Sequence, residues 1–162
     1  MPFRLTNQGE YAVRLMVYLA SRNAGQRISA QEIADAQNIP PRFLRNIISE
    51  FAKRGFVRSF KGQGGGVELG DGAGDRTLLD IIEAVEGPIY LNVCMQGVDA
   101  CEFSGQCSVH NVWHEAQDAL RGILGSRRLT DMVTDNEGLA SLVGVDAAQD
   151  ICGQPDPERK RA

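Results

Sequence analysis

Three cysteines and a histidine stand close together in this chain: Cys94, Cys101, Cys107 and His110, spaced Cys-x6-Cys-x5-Cys-x2-His. Thiolates are soft ligands, and thiolate with imidazole suits iron–sulfur clusters, zinc or copper. Their neighbours Gln96, Gly97, Asp99, Glu102, Ser104, Gly105 and Gln106 are polar or small, unlike the surroundings of cysteines buried as small hydrophobes. A chain of 162 residues is long for a scaffold stapled by disulfides. The group therefore points to metal or redox chemistry. Structural zinc usually takes paired Cys-x2-4-Cys knuckles, which gaps of six and five fit poorly, so zinc stays open as the alternative. Cys152 lies apart in a polar tail and is set aside.

The chain before this group supplies a second chemistry. Tyr11, Val13, Leu15, Met16, Tyr18 and Leu19 give one apolar face and predict a helix from about Gln8 to Arg22. Ser29-x-x-Glu32 reads as a capping box opening a short helix through about Gln37. Asn38-Ile39-Pro40 breaks it. Pro41 suits the first turn of a third helix to about Arg54, with Phe43, Leu44, Ile47, Ile48 and Phe51 on one side and Gly55 closing it. A short helix, a tight turn and a second helix, preceded by another, form a helix-turn-helix. Arg42, Arg45, Asn46 and Ser49 fall on the side of the third helix away from its apolar stripe, and such residues read base edges and phosphates. Phe56 to Phe60, with Arg58, alternates like a strand. Lys61-Gly62-Gln63-Gly64-Gly65-Gly66 turns, and Val67 to Leu69 returns, making a β-hairpin wing. A phosphate-cradling nucleotide loop is a weak alternative for the glycine run, which lacks the Gly-Lys-Ser/Thr ending and any βαβ context.

Charge is divided in the same way. Residues 1–70 carry a net +5 and residues 71–162 a net −9, within an overall −4. A basic first half favours nucleic acid as partner. Asp71 to Asp75 reads as a linker, Thr77 caps a helix to about Glu86, and a long helix runs from about Ser108 to Leu124. Its stripe of Val109, Val112, Trp113, Ala116, Leu120, Ile123 and Leu124 is available to pack on a second copy or on the first helix. Leu129 to Val133 suits a last short helix. His114 reads as a surface residue of the long helix. The expected organisation is a DNA-binding domain over 1–70, a cysteine loop and dimerisation helix over 71–140, and a disordered tail over 141–162. The fold class is mainly α with a two-stranded β wing. No apolar run reaches membrane-span length and the first residues lack a signal peptide's apolar stretch, so the chain reads as cytoplasmic. No paired catalytic carboxylates or Ser/His constellation is present, and the reading is not an enzyme.

Leu5-Thr6-x-x-Gly9-x-Tyr11-Ala12-Val13-Arg14, Ile33-Ala34, Pro41-x-Phe43-Leu44, Gly55-Phe56-Val57, Lys61-Gly62-x-Gly64-Gly65-Gly66 and Cys107-x-x-His110-x-x-Trp113 occur in that order. Over about residues 3–135 this resembles the Rrf-type winged-helix regulators, the family of IscR, NsrR and RirA. The resemblance implies a homodimer that binds a palindromic operator in double-stranded DNA. It also implies an iron–sulfur cluster whose state, set by iron, oxidants or nitric oxide, tunes DNA affinity. Cys94, Cys101 and Cys107 match the three cysteine ligands. His110 matches the histidine ligand of a [2Fe-2S] cluster, which the reading favours. Glu10 falls where other members place an acidic ligand, donated by the partner subunit to a [4Fe-4S] cluster. Arg42 and Arg45 match DNA-reading positions and Lys61 the wing. Arg45 stands where IscR-like members carry glutamate, which implies a different target sequence. Family members that work through thiols or ligands, and iron–sulfur electron carriers, are the alternatives.

Overall fold

The computed structural model describes residues 4–97, 100–103 and 106–133. The expectation for the tail over 141–162, with Cys152, lies outside these residues.

Helix α1 spans Asn7–Ala20. It starts one residue earlier than the apolar pattern suggests, because the Thr6 hydroxyl caps it by accepting from the Gly9 N–H at 3.3 Å. Ala12, Leu15, Met16 and Leu19 form its buried face. Helix α2 is Ala30–Gln37, capped by Ser29, whose hydroxyl accepts from the Glu32 N–H at 3.1 Å. The left-handed Asn38 (φ 48°) ends it. Helix α3, Pro41–Lys53, begins on the expected proline and buries Leu44, Ile47, Ile48 and Phe51. The reciprocal capping box expected at Ser29 forms instead at Thr77, where Asp80 bonds back to the cap's backbone N–H at 2.9 Å.

Strands β1 (Val57–Phe60) and β2 (Gly66–Leu69) pair antiparallel, with Val57 opposite Leu69 and Phe60 opposite Gly66. The wing is fastened to the helices. Ile28, just before α2, exchanges two backbone hydrogen bonds with Val67, at 3.0 and 2.8 Å. Gly66 makes that approach workable: a Cβ there would stand 2.8 Å from the Ile28 carbonyl oxygen, and its φ of 156° disfavours a side chain. At the wing's root, Phe56 stacks on Phe51 of α3 with ring centroids 5.0 Å apart.

The segment expected as a linker is packed. Ala73 lies in a 3-10 turn over Ala73–Asp75 and is buried, and Asp71 pairs with Arg58 at 2.7 Å. Helix α4, Leu78–Glu86, lies against α1 and adds Ile81 and Ala84 to the same core as Leu15 and Leu44. Helix α5, His110–Ser126, leads to a helical stretch over 129–133. There the chain returns to the start of α4. The Leu78 N–H donates to the Arg127 carbonyl (2.8 Å), the Leu129 N–H donates to that of Arg76 (2.9 Å), and Leu129 is fully buried. One continuous hydrophobic core thus crosses residue 70.

Candidate DNA-reading face and cysteine loop

The turn at Asn38 sets α3 so that its apolar stripe faces the core and its polar side faces solvent. Arg42, Arg45, Asn46 and Ser49 are all exposed, as expected. Between α3 and the wing lies a cleft of about 690 Å3, lined among others by Arg45, Ser49, Lys53, Lys61 and Gly62. The structure thus brings the two expected reading elements to one groove. Asn46 faces a different hollow, beside Gln8, Glu50 and Glu86, and Ser49 touches both. Lys61, Gly62, Gln63 and Gly64 form the exposed end of the wing.

Arg58 is the exception. It ion-pairs with the buried carboxylate of Glu68 at 2.8 Å and with Asp71 at 2.7 Å. The two pairs anchor it at the base of the wing, with its side chain still 46% exposed. Arg27, which the sequence reading passed over, has a related role. It lies 3.6 Å from Glu68 and stacks 3.7 Å over the Phe60 ring. No local pattern marks Arg27, because both partners come from the hairpin more than thirty residues on.

The cysteine loop is held at both ends. Before it, the Leu91 N–H donates to Gln117 Oε1 at 2.9 Å, and the Gln117 amide donates to the Ile89 carbonyl at 2.6 Å. Gln117 is the buried residue of α5. Glu83 of α4 accepts from the Ile89 N–H at 3.1 Å and from the Arg121 guanidinium of α5. That last hydrogen bond raises the Arg121 pKa above its ordinary value. Cys94 lies in a 3-10 turn, Val93–Met95, capped by the Asn92 side chain. Cys107 comes just before α5, and its carbonyl accepts from the His110 N–H at 3.1 Å.

All three cysteines are half-buried and none is disulfide-bonded. Among the described residues, no three side chains of His, Cys, Asp or Glu are gathered so as to share one ion. Cys107 and His110 are kept near each other by the helix start and by the His110 N–H bond to the Cys107 carbonyl. Glu10 lies in the first turn of α1, 3.7 Å from Arg14. The donor chemistry still fits a thiolate-bound cluster: three thiols, one imidazole, and a buried His110 Nδ1 with no hydrogen-bond partner.

A family model described as "Rrf2: Iron-dependent Transcriptional regulator" matches residues 5–135. The chain belongs to the Rrf2 family of transcriptional regulators. It is 30% identical over 159 residues to the HTH-type transcriptional regulator IscR of Photorhabdus laumondii, covering 98% of this chain and 90% of that protein. It is 32% identical over 136 residues to IscR of Cronobacter sakazakii, covering 84% and 83%. Two solved structures share the fold. IscR of T. potens matches with a TM-score of 0.68 and 26% identity, over 86% of this chain and 92% of that one. CymR (YrzC), the global cysteine regulator of B. subtilis, matches with a TM-score of 0.67 and 27% identity, over 83% and 98%.

The mainly helical fold with a two-stranded wing is therefore that of an Rrf2 winged-helix regulator, as the sequence resemblance implied. Such a regulator acts on transcription by binding DNA. Among the described residues, no helix is long and apolar enough to cross a membrane.

Proposed function

We propose that this Rrf2 regulator binds a palindromic operator as a homodimer, and that an iron–sulfur cluster held by Cys94, Cys101, Cys107 and His110 sets its affinity. The observation that carries the reading is the placement of the loop. Its thiols lead directly into α5. Glu83, Arg121 and Gln117 tie α5 and the loop's entry to α4, and α4 packs on α1 in the core that supports α3. A change in the loop thus has a short packed route to the reading helix. When bound, the cluster would supply reversible redox and ligand-exchange chemistry. The histidine, being neutral where thiolate is charged, suits a [2Fe-2S] cluster that is held less tightly than by four thiolates.

The dimer reading rests on α5. Val112 is 60% exposed and Ile123 64% exposed, on the longest helix among the described residues. With the half-buried Trp113, Leu120 and Leu124, they give an apolar stripe that a second copy would cover. A two-fold dimer would present two α3 helices to two half-sites, hence a palindrome. Residues 1–70 would then read DNA while 71–140 sense and dimerise, as functional regions around one core. Arg42, Arg45, Asn46, Ser49, Lys61, Gly62, Gln63 and Gly64 remain the proposed DNA contacts.

A cluster-free thiol regulator is the second reading. It is favoured by the likeness to a cysteine regulator. Anaerobic purification with iron, sulfide and absorption measurements separates the two, followed by operator titration with and without the cluster. Stoichiometric iron and sulfide, with an affinity that changes on cluster loss, supports the cluster reading. Iron-free protein whose DNA binding responds to thiol oxidation supports the second.

A further inference from the structure

His110 and His114 of α5 lie one turn apart, at the spacing that places side chains together on one helix face. Their Nε2 atoms are 3.1 Å apart, and the rings meet edge to face with centroids 4.6 Å apart. At that separation one ring's N–H donates and the other's lone pair accepts. His110 Nδ1, meanwhile, is buried and has no hydrogen-bond partner. A buried polar atom left in that state is costly.

The two tautomers differ in what they leave at Nδ1. If His114 donates, His110 carries its proton on Nδ1, and a buried N–H faces no acceptor. If His110 Nε2–H donates to His114, Nδ1 presents a bare lone pair. Only the second state lets Nδ1 ligate a metal, and it does so from the first residue of α5, three residues after Cys107. In metal sites the ring nitrogen away from the metal donates to a fixed acceptor, which sets the tautomer and raises ligand basicity.

We propose that His114 is a positioning residue: it accepts from His110 Nε2–H and so commits Nδ1, rather than Nε2, to the iron. This rests on His110 being the fourth cluster ligand. It accounts for the short contact between the rings and for the orphaned Nδ1 together. It also gives His114 a use that its exposed position in the sequence pattern conceals.

The test is pulsed EPR of the anaerobically prepared, dithionite-reduced protein, labelled with nitrogen-15 at histidine Nδ1 alone or at Nε2 alone. Strong hyperfine coupling from the Nδ1 label, with only weak coupling from Nε2, is the expected result. Strong coupling from Nε2 would overturn the proposal while leaving His110 as ligand. Strong coupling from neither label would remove histidine ligation itself, and the proposal with it. His114→Ala is expected to change the Nδ1 coupling and to shift the reduction potential upward, because a less basic ligand favours the reduced cluster. His114→Gln, whose amide oxygen can accept, should restore part of both. His114 is exposed, so neither variant burdens the fold. A His114→Ala protein with the coupling and potential of the wild type would overturn the positioning role.

Discussion

Glu86, the last residue of α4, accepts two hydrogen bonds from Thr6, one from its backbone N–H and one from its hydroxyl, both at 2.9 Å. A carboxylate from another helix thus caps the start of α1, where negative charge complements the helix dipole. Gly9 leaves room for it, since a Cβ there would collide with that carboxylate. The latch joins two places of functional interest. Glu86 precedes Gly87, from which the chain runs toward the cysteine loop, and Gly9 precedes Glu10.

A double-mutant cycle at this latch should show strong coupling. Gly9→Ala displaces the carboxylate and should cost about 1 kcal/mol in urea unfolding. In a Glu86→Ala background the same change should gain about 0.5–1 kcal/mol, because alanine is the better helix former. An equal cost in both backgrounds would show that the crowding comes from elsewhere.

The Thr6–Glu86 contact also shows what sequence can and cannot carry. It joins residues 80 apart, and nothing local in either segment marks it. The elements were legible because their signals are local: Pro41 at a helix start, Thr77 before Leu78, the glycine run between two short apolar segments. The polar side of α3 followed from periodicity alone, so Arg42, Arg45, Asn46 and Ser49 fell where expected. Arg58 shows the limit. Its alternation placed it in a strand, but Glu68 and Asp71, which engage it, come from the far side of the turn. Gln117 is similar: nothing local marks it, yet it is buried, with its amide bonded to the Ile89 carbonyl and the Leu91 N–H.

Arg58 and Arg45 should therefore fail in different ways. Arg58→Ala leaves buried Glu68 with Arg27 alone and should cost about 1–2 kcal/mol of stability. Its effect on DNA affinity, measured on folded protein, should be small. Arg45→Ala should leave stability within about 0.5 kcal/mol and cost about 1–3 kcal/mol of operator binding. Lys61→Ala should lower the salt slope by about one without altering sequence preference. Thermal unfolding paired with operator titration at several salt concentrations decides it; operator binding intact in both Arg45→Ala and Lys61→Ala would remove the cleft as the reading surface.

At the end of α3, the Glu50 carboxyl is held below the ordinary carboxylate range. The hydrogen bond from Arg54, at 2.8 Å, is the chief cause, and the charges of Lys53 and Arg54 add to it. A depressed pKa means that this contribution to stability is present above the unfolded value and is lost as pH falls through the folded one. Carboxyl-carbon NMR should show Glu50 titrating low in the wild type and moving up in Arg54→Gln. A titration unmoved by that change would mean another group holds it.

Ile123→Asp tests the dimer without touching the core. Ile123 is 64% exposed, so a charge there should change monomer stability little, as surface substitutions do. In a covered stripe the same charge loses its solvation and should separate the subunits. Sedimentation equilibrium at micromolar concentration should give two chains for the wild type and one for the variant. A wild type that sediments as a single chain rejects the α5 interface outright.

The fourth ligand divides the cluster reading most sharply, and here the two candidates stand in different surroundings. His110 follows Cys107 by three residues on a helix start, and its Nδ1 is buried without a partner. Glu10 sits in the first turn of α1 beside Arg14, an engaged carboxylate whose use as a ligand would require an approach from another segment or another subunit. Imidazole is also the softer donor, better matched to iron already bound by thiolate. His110→Ala should therefore give protein with less iron and sulfide per chain and a cluster that is lost faster under air. Glu10→Ala should retain both. Native mass spectrometry of the two variants, prepared anaerobically, reads cluster mass directly. Two irons per cluster, with loss on His110→Ala alone, is the expected pattern. Four irons, with loss on Glu10→Ala, would move the fourth ligand to α1 and make the cluster a [4Fe-4S] one.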